Sequence, residues 1–499
     1  MSQYPLRIAP DEPEIPEPLD ALEIPEPLDE PEIPEPLDEP EIPEPIDEPE
    51  IPEPLVDEDP DDLDALGGGG GGSESRAAGG NASSPASPPA GTPPETSGSL
   101  PVLRVPTPQG PVTPKPATTP TTTPRMTTTT TLTPFTELVC TVSGYWLFMF
   151  PPDGLCHYLF YWDVVVFRKT IQDVDGSHYW EKFKDKTARL KKTSGGISFD
   201  SRVVAASIIR SVEKELEYLA TINIKHYGVL SMLATREEAH DLLQHTKALL
   251  QKLKTIQGND ITKRMILAMG LYDYGSQGEY YSFFTNLLKE AVDTSKADTV
   301  IAISSVGWLY NSSRCELTPP SVWDTSALPG LASTLGRRYP DLRRHAALMS
   351  KHQSNFDLKV KMGLSFELST LAYTVFQHWQ ALNVAMIHSE CYSLSTASFA
   401  FVPCKNTLRS TRGLVHPDVS IAILDDAPRI LLFEDEDTLQ KKCRDLLKPS
   451  TDLRPNMVML LFNVHLGGIS DLNHCGSSDP LRADPFWRVR VVKKTLNIT

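Results

Sequence analysis

The chain has 499 residues, of which 65 are Asp or Glu and 47 are Lys or Arg, so its formal net charge is −18 at pH 7. The charge is unevenly distributed, because residues 1–66 contain 25 acidic residues and one basic residue, which leaves the rest with 40 acidic and 46 basic residues. So small an excess of positive charge is typical of an ordinary solvated surface and excludes the strongly basic footprint of a nucleic-acid-binding protein.

Residues 1–66 form an acidic, proline-rich repeat. The motif EIPEP occurs five times with a period of nine residues, beginning at Glu14, Glu23, Glu32, Glu41 and Glu50. Proline removes a backbone donor and clustered carboxylates repel one another, so we expect this arm to be disordered and extended, near polyproline II. Such an arm is suited to act as a spacer or to display the domain that follows it, and binding to a cationic partner is the alternative.

Residues 67–134 form a linker that is rich in Gly, Ser, Pro and Thr. Six glycines open it at Gly67–Gly72, and the stretch PATTPTTTPRMTTTTTLTP closes it. This composition cannot bury a core. In a secreted protein it is typical of a mucin-like, O-glycosylated stalk, and otherwise of an unmodified linker.

Residues 135–499 alternate short apolar runs with helical patterns. Eight apolar runs predict strands, at 138–142, 155–161, 195–199, 225–232, 265–271, 299–305, 359–366 and 457–464. Eight strands with intervening helices predict an α/β fold, a (β/α)8 TIM barrel. After the fourth strand, Thr235 and Glu238 have the spacing of a capping box, which predicts the start of a helix.

The cysteines and sequons bear on the compartment. All seven cysteines lie in the barrel region without a C-x-x-C spacing, so we predict no metal site and no cofactor. Sequons at Asn81, Asn311 and Asn497 favour a secreted glycoprotein with disulfides. The opening MSQYPLRIAP lacks a signal-peptide pattern, and Pro-Pro-Asp-Gly interrupts the most apolar stretch, so we expect no membrane span. The export route is therefore unexplained, and a cytosolic protein with reduced thiols is the alternative.

Three stretches of the barrel region resemble parts of one enzyme family. They are LVCTVSGYWLFMFPPDGLCHYLFY, LLFEDEDTLQKKC, and DLNHCG followed by DPLR. Their order and spacing resemble the opening, the late acidic stretch and the end of glycoside hydrolase family 18, the chitinases and chitinase-like lectins. The resemblance covers about 360 residues discontinuously, and it implies a barrel whose relatives bind or cleave N-acetylglucosamine polymers.

The family's signature Asp-Gly-x-Asp-x-Asp-x-Glu can be placed on the fourth strand. Its glycine matches Gly228. The four acidic positions then match Tyr227, Leu230, Met232 and Ala234. In the family the last of these is the glutamic acid that protonates the glycosidic oxygen, and alanine cannot donate a proton. Glu237 and Glu238 lie close to that position, but the helix dipole and the capping box account for both.

Other family positions are also changed. The tyrosine and aspartate that assist the substrate's acetamido group match Ser305 and Val306, and the tyrosine after the conserved glycine of the seventh strand matches Glu367. The tryptophan that closes the eighth strand matches Phe462. The resemblance therefore implies a pseudoenzyme.

The resemblance also implies disulfides. It pairs Cys140 with Cys156, and it makes a bridge between Cys443 and Cys475 plausible. The remaining cysteines are Cys315, Cys391 and Cys404, of which one must stay unpaired.

We therefore predict a non-catalytic, chitinase-like protein that binds glycans or proteins in a lectin-like manner and is displayed on a mucin-like stalk. Chitin-like or other glycans and protein partners are the expected ligands, and nucleic acid is not. The alternative is a scaffold whose acidic arm carries partner binding, and the third possibility is a residual glycosidase acting on N-acetylglucosamine polymers. Exposed aromatic side chains at the strand ends would favour binding, and an apolar filling there would favour the scaffold.

Overall fold

The structure is a computed structural model. It describes residues 134–499 except 145–148, 175–177, 272–276, 306–314, 329–340, 356–359, 377–378, 380, 403–409, 425–427, 449–450, 452, 454–455 and 468–483. The acidic repeat and the linker up to residue 133, with Asn81, lie outside the described residues, as do Asn311, Val306, Cys404 and Cys475. In the described part, no helix is long and apolar enough to cross a membrane.

The described part contains fifteen strands and seven α-helices. The strands are β1 (Phe135–Val142), β2 (Tyr158–Phe167), β3 (Thr170–Asp173), β4 (Ser194–Phe199), β5 (Ile224–Ala234), β6 (Met265–Leu271), β7 (Thr299–Ala302), β8 (Cys315–Glu316), β9 (Lys361–Glu367), β10 (Thr370–Val375), β11 (Glu390–Ala397), β12 (Ser410–His416), β13 (Val419–Leu424), β14 (Arg429–Phe433) and β15 (Met457–Phe462). The helices are α1 (Tyr179–Thr187), α2 (Glu213–Thr221), α3 (Ala239–Gln257), α4 (Gln277–Thr294), α5 (Leu342–Asn355), α6 (Glu436–Leu446) and α7 (Trp487–Thr495).

Eight parallel strands close into a barrel in the order β1, β15, β9, β7, β6, β5, β4, β2, and a β1–β2 pairing completes the ring. Each of them overlaps one of the eight predicted strands, so the predicted (β/α)8 fold is confirmed. No helix separates β1 from β2 in the described residues of that connection, and β3 extends β2 as an antiparallel hairpin.

Side chains alternate between the two sides of the barrel wall, as the two-residue period of strands requires. A larger apolar cluster fills the layer between the strands and the helices and includes Leu243, Leu250 and Leu253 of α3. A second cluster fills the barrel interior. Its buried members are Val139, Phe160, Trp162, Leu230, Leu233, Ile266, Ala268, Ile301, Ile303, Val458, Leu460 and Phe462.

A second, antiparallel sheet was not predicted from the sequence. Its strand order is β12, β13, β14, β10, β11, β8, and all six strands come from chain segments between β7 and β15. Leu371, Tyr373 and Ile421 pack on one of its faces, whereas Leu431 and Phe433 pack with Trp487 of α7 on the other. The sheet is therefore an insertion into the barrel with a core of its own.

Two disulfides lie in the described part. The implied Cys140–Cys156 bridge is present and ties β1 to the start of β2, and Cys315–Cys391 joins β8 to β11 in the second sheet. Cys443 is instead a free, buried thiol whose pKa burial raises, so the implied bridge from Cys443 is corrected. The reason is its place on the inner face of α6, where it packs in the apolar layer against the barrel.

Candidate functional site

The carboxyl ends of the barrel strands form the mouth, the end at which TIM barrels carry their functional groups. An apolar plug occupies its centre. The Trp162 and Phe462 rings lie 5.5 Å apart, and these side chains are 8% and 1% exposed. Leu233 and Ile303 belong to the same cluster. The aromatic side chains here are therefore packed against each other and mostly covered.

A β-bulge near the end of β5 changes which residues face the mouth. The pairing of β5 with β6 shifts between Val229 and Met232, so Leu230 and Ser231 together stand opposite a single residue of β6. Before the bulge, Tyr227 faces outward and its hydroxyl donates to the Leu216 carbonyl at 3.1 Å. Because of the extra residue, the alternation of the strand reverses after the bulge.

The bulge decides the placement of the signature positions. Leu230 faces the barrel interior, whereas Met232 and Ala234 pack in the outer layer against the helices. Leu233 faces inward opposite Gly270, where a Cβ would lie 2.8 Å from the Leu233 side chain. The assignment of the proton-donor position to Ala234 stays a prediction, and Leu233 is the residue that the bulge brings to the inner face.

The two glutamates after β5 lie in the helix start. Glu237 and Glu238 are exposed, and the backbone N–H of Thr235 donates to a Glu238 carboxylate oxygen at 3.4 Å. In return, the Glu238 N–H donates to Thr235 Oγ1 at 3.4 Å, so the predicted reciprocal pair forms, in the turn that precedes α3. Both carboxylates therefore belong to the first turn before α3 and not to the mouth.

Polar groups surround part of the plug on the β7, β9 and β15 side. Ser305, which the resemblance matches to the family's tyrosine, lies with its hydroxyl 3.0 Å from that of Ser365. Glu367 is fully buried at the end of β9 and accepts bonds from Asn463 Nδ2 at 3.1 Å and from the Ser369 N–H at 2.7 Å. These hydrogen bonds hold the Glu367 carboxylate in place between β9 and β15, so its role is structural.

On the opposite side, a carboxyl that sequence reasoning missed stands between two serines. Asp163 follows Trp162 at the mouth end of the barrel part of β2. Ser198 Oγ donates to Asp163 Oδ1 and Ser231 Oγ donates to Asp163 Oδ2, both at 2.5 Å. Ser198 also accepts the Leu230 N–H at 2.9 Å. The bulge therefore brings Ser231 to Asp163.

The charge of Asp163 depends on its surroundings. Burial and the neighbouring Asp200 carboxylate raise the Asp163 pKa to about 8, although the two serines and Arg202 act in the opposite direction. The Arg202 guanidinium donates to the Leu233 carbonyl, which holds it at the end of β5. A carboxyl with this pKa is mostly protonated at pH 7, and perturbed groups of this kind are concentrated in functional sites.

The late acidic stretch that contributes to the resemblance is structural. Asp435 caps α6 by accepting the Thr438 N–H at 3.0 Å, and Glu434 accepts from Lys442 Nζ at 2.5 Å. Lys442 also donates to the Ser321 carbonyl at 2.8 Å. Since Glu434 and Lys442 are both almost completely buried, they hold α6 against the segment that follows β8.

Asn497, the sequon within the described residues, is exposed near the end of the chain. Across the described residues, no three His, Cys, Asp or Glu side chains are grouped as metal ligands.

No protein-family model and no curated protein matches the sequence. Several solved structures are similar to it. Human YKL-39, described as a pseudo-chitinase with retained chitooligosaccharide binding properties, has 12% identity and a TM-score of 0.49 over 72% of this chain and 100% of its own. The Ostrinia furnacalis group IV chitinase has 14% identity and a TM-score of 0.48 over 72% of this chain and 99% of its own. The Trichuris suis chitinase TsES1 has 10% identity and a TM-score of 0.47 over 72% of this chain and 100% of its own. Likeness at this level says nothing about activity or ligand.

Proposed function

We propose that this chain is a chitinase-like barrel protein that has lost the family's proton donor and binds glycans, or glycan-bearing proteins, at the mouth without cleaving them. One observation carries the proposal. At the end of β5 neither face of the strand bears an acid, since Leu230, Ser231 and Leu233 lie on the inner side and Met232 and Ala234 on the outer side.

Neither placement of the signature on β5 provides an acid at the donor position. A continuous two-residue period assigns the donor position to Ala234, and the bulge brings Leu233 inward instead. Neither side chain can protonate a glycosidic oxygen, and without a general acid this type of hydrolysis loses an essential step.

The chitinase-like assignment has two supports beyond the three sequence stretches. The eight barrel strands occupy the expected segments, and the Cys140–Cys156 bridge joins the two strands that the resemblance implies. Binding is supported by the Asp163–Ser198–Ser231 trio, which offers hydrogen-bonding groups at the mouth.

We further propose that the protein is extracellular and that residues 67–134 act as an O-glycosylated stalk. Two disulfides in the barrel region and its insertion are typical of proteins that mature in oxidising compartments. Mass spectrometry of the protein secreted by its own cells tests both statements: heterogeneous hexosamine additions on Thr-rich peptides support them, and an unmodified chain found only in cytosol contradicts them.

The experiment on the binding function titrates the full-length chain, with its disulfides intact, with N-acetylglucosamine oligomers. The fluorescence of the chain's seven tryptophans, which include Trp162 in the plug, is followed, and the same samples are assayed for shorter oligomers. Saturable fluorescence change without product is the expected result. Product formation that survives Glu237→Gln together with Glu238→Gln would contradict the loss of catalysis.

A scaffold role is the second candidate, and the plug favours it. Trp162, Leu233 and Phe462 fill the barrel mouth with apolar groups that are almost fully covered. If neither fluorescence change nor product is observed at any oligomer length, the scaffold replaces glycan binding, and partners are sought for the acidic arm.

A further inference from the structure

Serine hydroxyls hold both oxygens of the Asp163 carboxyl. Each of its oxygens accepts one serine hydroxyl, from Ser198 on β4 and from Ser231 on β5. A protonated carboxyl in this setting still has its own O–H to donate. Asp163 and Ser231 are partly exposed whereas Ser198 is buried, so solvent or a ligand can approach the carboxyl from the Ser231 side.

The direction of the trio follows from the strand alternation. A Cβ on Gly196 would lie 2.6 Å from the Phe160 ring in the barrel interior, so residue 196 faces inward. Ser198, two residues later on β4, therefore faces inward at the mouth. Because Asp163 accepts from Ser198, its carboxyl lies over the interior and not among the outer helices.

Within the part of the chain that the structure describes, the charged groups that act on Asp163 come from one segment. Asp200 and Arg202, both after β4, act on it with opposite signs, while β4 and β5 contribute only the neutral Ser198 and Ser231. On β3 the Asp173 carboxylate accepts the Tyr161 hydroxyl at 2.9 Å, on the outer side of the wall. Burial and Asp200 prevail, so the Asp163 pKa rises to about 8 and the group is mostly neutral at pH 7.

We propose that Asp163 is the ligand-recognition residue of the mouth and donates a hydrogen bond to an uncharged acceptor, the carbonyl or hydroxyl oxygen of a neutral N-acetylated sugar. This inference rests on the proposed glycan-binding function. Ser198 and Ser231 position the carboxyl. Asp200 disfavours anionic ligands at the same place.

The test measures the affinity of the full-length chain for the N-acetylglucosamine tetramer between pH 6 and 9.5. Deprotonation removes the donor, so wild-type affinity should fall about tenfold for each pH unit above 8. Asp163→Asn has an N–H donor and does not titrate, so it should bind with an affinity that is independent of pH. Asp163→Ala should bind at least tenfold more weakly than the wild type at pH 6, and its affinity should not depend on pH. Asp173→Asn is the matched control, and it should follow the wild type.

The outcomes separate this inference from the function on which it rests. If the wild type binds the tetramer equally at pH 6 and pH 9.5, or if folded Asp163→Ala binds as the wild type does, Asp163 is not the recognition residue although glycan binding stands. If the wild type binds no oligomer at any pH, glycan binding itself fails and this inference with it. Circular dichroism of each variant shows whether the barrel has formed.

Discussion

The position of Asp163 in the mouth has a cost in stability that can be measured. A carboxyl whose pKa is raised in the folded state stabilises the fold only while it is protonated. That contribution is fully present below the ordinary pKa near 3.8 and is lost as the pH rises through about 8. The wild type should therefore lose stability between pH 4 and pH 8.

The substitution Asp163→Asn removes the titration and keeps a group of similar shape. The asparagine carbonyl can accept one of the two serine bonds, so the local packing is retained. A carboxyl that titrates near 8 in place of 3.8 costs up to about 6 kcal/mol above pH 8, at about 1.4 kcal/mol for each pH unit. Because Asp163 is partly exposed and solvent screens it, we expect roughly 2 kcal/mol.

The assay is equilibrium urea unfolding of the wild type and Asp163→Asn at pH 5, 7 and 9. The free energy of unfolding of the variant should exceed that of the wild type by an amount that grows with pH and levels off above pH 8. Asp173→Asn, which alters a neighbouring carboxyl bonded to Tyr161, should not produce this pattern. Parallel curves for the wild type and Asp163→Asn from pH 5 to pH 9 would refute the reasoning.

Three further predictions concern other parts of the fold. Burial lowers the pKa of His226 to about 3, so the wild type should lose stability as the pH falls from 6.5 towards 3. Thermal unfolding at pH 4 and pH 7 should show a smaller difference for His226→Phe than for the wild type, and an equal difference would contradict the prediction. Glu434→Gln leaves the Lys442 ammonium buried without its carboxylate and should lower the free energy of unfolding by about 3–5 kcal/mol in urea, with partial recovery when Lys442→Met is added. Replacing Cys140 and Cys156 by serine removes a disulfide with a sequence separation of 16 and should lower the free energy of unfolding by about 3 kcal/mol. A decrease below about 1 kcal/mol would show that the bridge adds little stability.

The barrel could be predicted from the sequence because each of its strands is a continuous apolar run between polar segments. Strands such as β6 and β15 are buried on both faces, so the run itself marks their limits. The second sheet was missed although its signal is present. In β10, Leu371, Tyr373 and Val375 alternate with less buried residues, which is the pattern of a half-covered antiparallel strand.

The candidate site could be predicted only in part. The run GVLSMLA is apolar apart from Ser231, so no change of period in the sequence reveals the bulge that turns Met232 and Ala234 outward. Asp163 lies within the apolar run YLFYWDVVVF, two residues beyond the end of the second predicted strand, and no motif includes it. Its partners Ser198 and Ser231 are 35 and 68 residues away, and only tertiary structure brings the three together.

The central claim is that the mouth of this barrel binds a neutral glycan and does not cleave it. A crystal structure of the full-length chain with the N-acetylglucosamine tetramer, grown near pH 6, tests it most directly. The account predicts an intact tetramer at the mouth with a sugar oxygen within hydrogen-bond distance of the Asp163 carboxyl. A cleaved oligomer, or a mouth without sugar at saturating tetramer, would contradict it.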